Sequence, residues 1–145
     1  MKSLDTNLLF YSINTLVPEH QGSRAFILQA LAQPSEWIVA DQVWFELYRL
    51  LRNPVLTETP LSATEADETI DYFRNRSGWS RCAWEPVTMD KLRKHWRVQS
   101  FPPRRTFDLV LAHTLKANGV TEFYTHNTKD FAEYGFFRVT DPLDS

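Results

Sequence analysis

WIVADQVWFELYRLLRNP, residues 37–54, is the stretch whose reading decides the fold. Its first four residues, Trp37, Ile38, Val39 and Ala40, form a short apolar run between Pro34 and Asp41. Such a run between turn signals reads as a buried strand. Asp41 looks like a helix cap. A helix then runs through Val43, Leu47 and Leu50 to about Arg52, where Asn53-Pro54 stops it. A buried strand feeding straight into an amphipathic helix is the building block of parallel α/β folds. Glu46 breaks the pattern. It shares the helical stripe of Val43, Leu47 and Leu50, because residues three and four apart lie on one face. A carboxylate on a buried stripe is costly unless it is paired or binds a cation. Two plain readings stay open: a salt bridge to Arg49, or a helix face rotated from the one assumed here.

Outward from this unit the alternation repeats. Residues 1–4 form a strand candidate ending at Asp5, and Asn7 is placed to cap a helix through Leu8, Leu9, Phe10 and Ile13. After Pro18 a helix is expected over residues 23–31. Ser62-Ala-Thr-Glu65 matches a capping box, opening a helix that reaches about Asn75. Residues 84–87 read as a short strand and 88–96 as a helix. Phe101-Pro-Pro103 is extended by proline geometry. A helix over residues 107–118 ends at Gly119. Residues 122–125 are a strand, 126–129 a polar turn and 136–139 a last strand. The expectation is one domain over residues 1–145, a three-layer α/β/α fold with a central, mostly parallel sheet.

Composition narrows the function. The chain has 145 residues, 43% hydrophobic and 23% charged, which suits one ordinary core. Four glycines leave little for a glycine-rich phosphate cradle, and the single cysteine, Cys82, rules out an internal disulfide or a Cys-rich zinc site. His20, His95, His113 and His126 are scattered without zinc spacing. No signal peptide and no membrane span are expected, so the chain reads as soluble and cytoplasmic. The net charge of −2 argues weakly against nucleic acid, but its distribution is uneven. Between Asp90 and Asp108 there is no acidic residue, only Lys91, Arg93, Lys94, Arg97, Arg104 and Arg105 beside His95 and Trp96. That interval is either a solvated helix face or a phosphate-facing edge.

Three further acidic residues resemble Glu46 in being oddly placed. Asp5 ends the first strand, and ligand crevices of open parallel sheets lie outside the strands' carboxyl ends. Asp108 shares a helical face with Leu111, Ala112 and Leu115, in a first turn where the helix dipole favours negative charge. Asp130 follows the strand at 122–125 across a polar turn, with Thr125 and Asn127 nearby. Each has an ordinary alternative: a cap for Asp5, a pairing with Arg104 or Arg105 for Asp108, turn chemistry for Asp130. Taken together they make an oxygen-rich set of the kind that hard cations prefer.

Four segments carry a resemblance to a known family. LDTNLLFY (residues 4–11), VADQVWFELYRLLRNP (39–54), RRTFDLVLAHTLKANGV (104–120) and FYTHNTKDF (123–131) resemble, in order, the four motifs of PIN domains, and their spacing is similar to that of VapC-type toxins. The resemblance implies a PIN-like fold and an endoribonuclease that hydrolyses RNA phosphodiester bonds with Mg²⁺ or Mn²⁺. It implies Asp5, Glu46, Asp108 and Asp130 as metal-binding and catalytic residues. Thr6, Asn7, Thr125 and Asn127 would orient them, and Arg104, Arg105 and Lys129 are candidates for holding the RNA backbone. It also implies a homodimer and a cognate antitoxin protein. One departure stands out: the position two after Thr125, often acidic in the family, is Asn127. The fourth ligand is then Asp130, Asn127 through its carbonyl or a water, or neither. A PIN-like module that binds RNA or protein with a degraded metal site is the alternative. Phosphatases of the haloacid-dehalogenase type need a second aspartate where Asn7 stands, and receiver domains need an early acidic pair that is missing.

Overall fold

In the computed structural model, which describes residues 1–144, five three-residue strands alternate with seven α-helices. The strands are β1 (Lys2–Leu4), β2 (Ile38–Ala40), β3 (Ser80–Cys82), β4 (Glu122–Tyr124) and β5 (Arg138–Thr140). The helices are α1 (Thr6–Ile13), α2 (His20–Ala32), α3 (Asp41–Arg52), α4 (Ala63–Asp71), α5 (Met89–Trp96), α6 (Thr106–Ala117) and α7 (Lys129–Ala132). Ser145, the last residue of the expected 1–145 domain, lies outside the described residues.

Every strand pairing is parallel. β1 pairs with β4 (Ser3 opposite Phe123), β4 with β5 (Phe123 opposite Val139) and β2 with β3 (Val39 opposite Arg81). A single parallel bridge, Lys2 to Trp37, joins the two ladders. The strand order is therefore β3-β2-β1-β4-β5. The chain leaves β1 toward β2 on one side and returns to β4 on the other. The crevice between the carboxyl ends of β1 and β4 is thus the topological switch point, where open α/β sheets bind ligands.

Helices flank the sheet in two groups. α1 packs against α2 and α3, and α3 against α4; α6 packs against α5 and α7. The strands are short, yet Leu4, Val39, Ala40 and Phe123 are nearly inaccessible to solvent. They meet Leu8 and Leu9 of α1, Val43 and Leu47 of α3, and Leu111 and Leu115 of α6 in one continuous core. Strands buried on both faces read as unbroken apolar runs, which is why β2 was visible in the sequence.

Five local expectations are corrected. The third strand is Ser80–Cys82, not residues 84–87: Pro86 opens a short 3₁₀ turn, and Trp84 and Val87 face solvent. The last strand is Arg138–Thr140, because Phe136 and Phe137 pack as rings ahead of it. Asp5, not Asn7, caps α1, its carboxylate accepting from Thr6 N at 2.8 Å. Asp41 is the first residue of α3 instead of its cap; it is gripped by Arg74 at 2.8 and 3.1 Å. α4 widens into a π-helical turn over Tyr72–Arg76, one residue past the expected end.

The capping box at Ser62 and Glu65 is formed in both directions, at 3.1 and 3.0 Å. Ser62→Ala should cost about 0.5–2 kcal/mol of stability, because it strands a helix N–H. Urea unfolding reads this as a lower midpoint at unchanged slope.

Candidate active site

Three of the four acidic residues arrive at the crevice from separate elements. Asp5 follows the last residue of β1, and its backbone N donates to Tyr124 O at the end of β4 (2.9 Å). Thr125, the next residue of that edge, donates its hydroxyl to Asp5 Oδ2 at 2.8 Å and accepts from Asn127 N at 3.0 Å. Asp5 thus has one oxygen on the α1 N-terminus and the other on the β4 exit.

Glu46 reaches the same place from the second turn of α3. Buried Thr6 donates its hydroxyl to Glu46 Oε2 at 2.7 Å, and Gln42 donates to Oε1 at 3.1 Å. The open readings for Glu46 are now resolved: its stripe is the core-facing one, and its oxygens are held by neutral donors instead of Arg49. Gln42 also donates to Phe107 O at 2.8 Å, fastening α3 to the start of α6. Asp108 lies in that first turn of α6.

The electrostatics show that these groups share one field. Burial pushes the Asp5 carboxyl up to about 7; the hydrogen bonds from Thr125 and Thr6 oppose the rise, while the charges of Glu46 and Asp108 add to it. Asp108 is pushed up to about 6, first by burial, then by Asp130 and Glu46, against weaker pulls from Arg105 and Arg104. Like charges held near one another in a poorly solvated site each disfavour the other's ionisation. Perturbation of this kind clusters at functional sites.

Asp130, on α7, couples to Asp108 but is differently placed. Arg105 Nε lies 3.3 Å from Asp130 Oδ1, and the same guanidinium also bonds Glu133. Arg105 keeps only 16% of its side chain exposed. It ties α7 to the start of α6 and partly neutralises Asp130, so of the three basic candidates for the RNA backbone it is the one already engaged by carboxylates. Arg104 and Lys129 are exposed, as a phosphate contact requires. Asn127 is also exposed, and its backbone N–H supports Thr125. Gln42 was not singled out from the sequence. The available signal was its position four residues before Glu46 on the same helical face.

Among the described residues no three carboxylate, imidazole or thiol groups converge closely enough to make a ready-made metal cage. The donor set nevertheless suits a hard divalent cation. Asp5, Glu46 and Asp108 offer only oxygen, which is the chemistry of Mg²⁺ and Mn²⁺ sites. None of the three is in an ion pair among the described residues, and only the weaker pulls of Arg105 and Arg104 on Asp108 offset their charge. Both side-chain amide atoms of Asn7, two residues past Asp5, are buried without a protein partner. Neutral donors hold the carboxylates of Asp5 and Glu46 in place, and a cation would offset the like charge gathered there.

A parallel α/β sheet that brings Asp5, Glu46 and Asp108 to its switch-point crevice is the arrangement expected of a PIN-type nuclease. No family profile matches the chain. Ribonuclease VapC24 of Mycobacterium tuberculosis, in each of two strains, is 38% identical to it over 148 residues, covering 100% of this chain and 99% of the relative. The chain belongs to the VapC family of PIN-domain ribonucleases. Solved structures agree on the fold. M. tuberculosis VapC20, described as a sarcin-ricin loop cleaving toxin, superposes with a TM-score of 0.71 at 14% identity, covering 96% of this chain and 98% of that one. FitAB bound to a DNA fragment gives 0.67 at 12% identity, over 100% and 97% of the two chains. FitAcB from Neisseria gonorrhoeae gives 0.66 at 15% identity over the whole of both chains.

Proposed function

We propose that this ribonuclease is the toxin of a toxin–antitoxin pair, an endonuclease that hydrolyses RNA phosphodiester bonds with Mg²⁺ or Mn²⁺ held by Asp5, Glu46 and Asp108. The observation that carries the metal reading is a group of carboxylates at the switch point that are in no ion pair among the described residues, with the carboxyls of Asp5 and Asp108 raised by burial and by neighbouring negative charge. When bound, the cation acidifies water and offsets the negative charge that grows on the phosphate. The chain's own groups do the positioning. Thr125 and Thr6 N–H fix the two oxygens of Asp5, while Thr6 and Gln42 fix those of Glu46. Held this way, the carboxylates need little reorganisation as charge develops, and such preorganisation is usually the largest catalytic contribution. Asp130 adds negative charge that opposes the ionisation of Asp108, and it is a weaker candidate ligand, being already engaged by Arg105. Arg104 and Lys129 hold the RNA backbone, which makes binding weaken as salt rises.

The toxin role rests on relatives whose names describe a ribonuclease, a toxin and a two-component complex. By that likeness the reading includes a cognate antitoxin; a homodimer and a single domain working in the cytoplasm are part of the same proposal. Among the described residues no helix is long and apolar enough to cross a membrane. The test is cleavage of structured RNAs with Mg²⁺, Mn²⁺ or EDTA, using wild type and Asp5→Ala. Cutting that requires the metal and disappears with Asp5→Ala is expected. Equal activity in every arm would end the metal-dependent reading.

A further inference from the structure

We propose that Phe45, Trp84 and Phe107 form a stacking platform for one unstacked base of the RNA, beside the bond that is cut. This rests on the ribonuclease reading above and deepens it. A cleft of about 560 Å³ opens between α3, the residues that follow β3, and the first turn of α6. It lies just outside the carboxyl ends of β2 and β3, next to the switch-point crevice. Glu46 and Gln42 line it, so the cleft and the acidic site share a wall. Its volume is in the ~300–1,000 Å³ range of small-ligand sites.

Three rings from three different elements converge there, and all are open to solvent: Phe45 at 71%, Phe107 at 70% and Trp84 at 41%. None of the three stacks on another ring among the described residues, so their faces are available. Core rings such as Trp44, Phe73 and Trp79 stack on one another instead. Arg49 lines the same cleft and has no carboxylate partner among the described residues.

The occupant follows from this chemistry. A phosphodiester held at Glu46 must place a neighbouring nucleotide along the wall that Glu46 shares with the cleft. Every base offers a π-face, so aromatic platforms take bases with little regard to sequence. Arg49 suits the adjoining phosphate, and the Gln42 amide, whose nitrogen already donates to Glu46 and Phe107, can accept from a base edge through its oxygen. The base must leave its helix to enter, so cleavage is confined to loops, bulges and single strands.

The experiment uses the full chain and an RNA oligonucleotide that it cuts, with cleavage mapped to one bond. Trp84→Ala, Trp84→Phe and Phe45→Ala are compared on this RNA and on versions with an abasic residue at each position flanking the bond. Loss of one stack predicts a fall of about 10- to 100-fold in kcat/KM for Trp84→Ala. Trp84→Phe should recover most of it. One abasic position should lower wild-type cutting by a similar factor, and Trp84→Ala should lose nothing further on that RNA. Wild-type kcat/KM for Trp84→Ala, or losses that multiply at every abasic position, would overturn the proposal while leaving the ribonuclease reading intact. Unchanged cutting with a smaller sedimentation mass would assign the rings to a second copy of the chain and equally overturn it. Wild type that cuts no RNA would sink both readings.

Discussion

Asp5→Asn lowers RNA cleavage by at least about 10³-fold and leaves the fold intact. The substitution keeps the shape of the side chain and one carbonyl oxygen, so the cap on Thr6 N or the bond from Thr125 survives. What disappears is a negative charge that the folded protein holds at a cost, since burial, Glu46 and Asp108 all oppose it. The variant should therefore melt at or above the wild-type temperature at pH 8 while its single-turnover rate collapses. That combination separates a functional charge from a structural one. Asp130→Asn offers the contrast. Arg105 already neutralises part of that carboxylate, so the rate should fall by a smaller factor, and the freed guanidinium keeps its bond to Glu133. Wild-type cutting by Asp5→Asn, or a larger loss from Asp130→Asn than from Asp5→Asn, would remove Asp5 from the centre of the site.

Residues with conflicting demands were the legible ones. Glu46 and Asp108 sit on helical stripes that are otherwise apolar, and a charge in such a place is what makes both stand out. Asp5 was readable because a strand end fixes where a side chain can point. The parallel sheet followed from short apolar runs such as residues 37–40, which only strands buried on both faces require. β3 was hidden for the opposite reason: Ser80, Arg81 and Cys82 form a polar edge, whereas the apolar residues just after them face the cleft. Trp84 looked like strand material because exposure cannot be read from a residue's type. The fate of Arg105 was equally invisible. Its partner Glu133 lies 28 residues away, and nothing local announces a contact made by the docking of α7. Gln42 depends on the exact approach of α3 to Phe107 O, a packing detail that periodicity does not encode.

Divalent cation and pH should act on the stability of the protein as opposing forces. Asp5 and Asp108 have folded-state values of about 7 and about 6, both above the ordinary 3.8. Between pH ~4 and ~7 the folded chain therefore binds more protons than the unfolded chain, so stability falls as pH rises through that window. In EDTA the melting temperature should drop from pH 5 to pH 8, because both carboxyls must ionise beside Glu46. Mn²⁺ at about 100 times its dissociation constant would restore about 2.7 kcal/mol at pH 8, or roughly 5–10 °C for a domain of this size. At pH 5 the same Mn²⁺ should do little, since protons already occupy the sites the cation needs. Asp5→Asn and Asp108→Asn should each flatten both responses, by removing the charge that makes the apo fold costly and the cation welcome. An identical Mn²⁺ shift at pH 5 and pH 8, or one that survives in Asp5→Asn, would mean that the cation binds elsewhere. The crevice would then be a cluster of strained acids with no metal to relieve them.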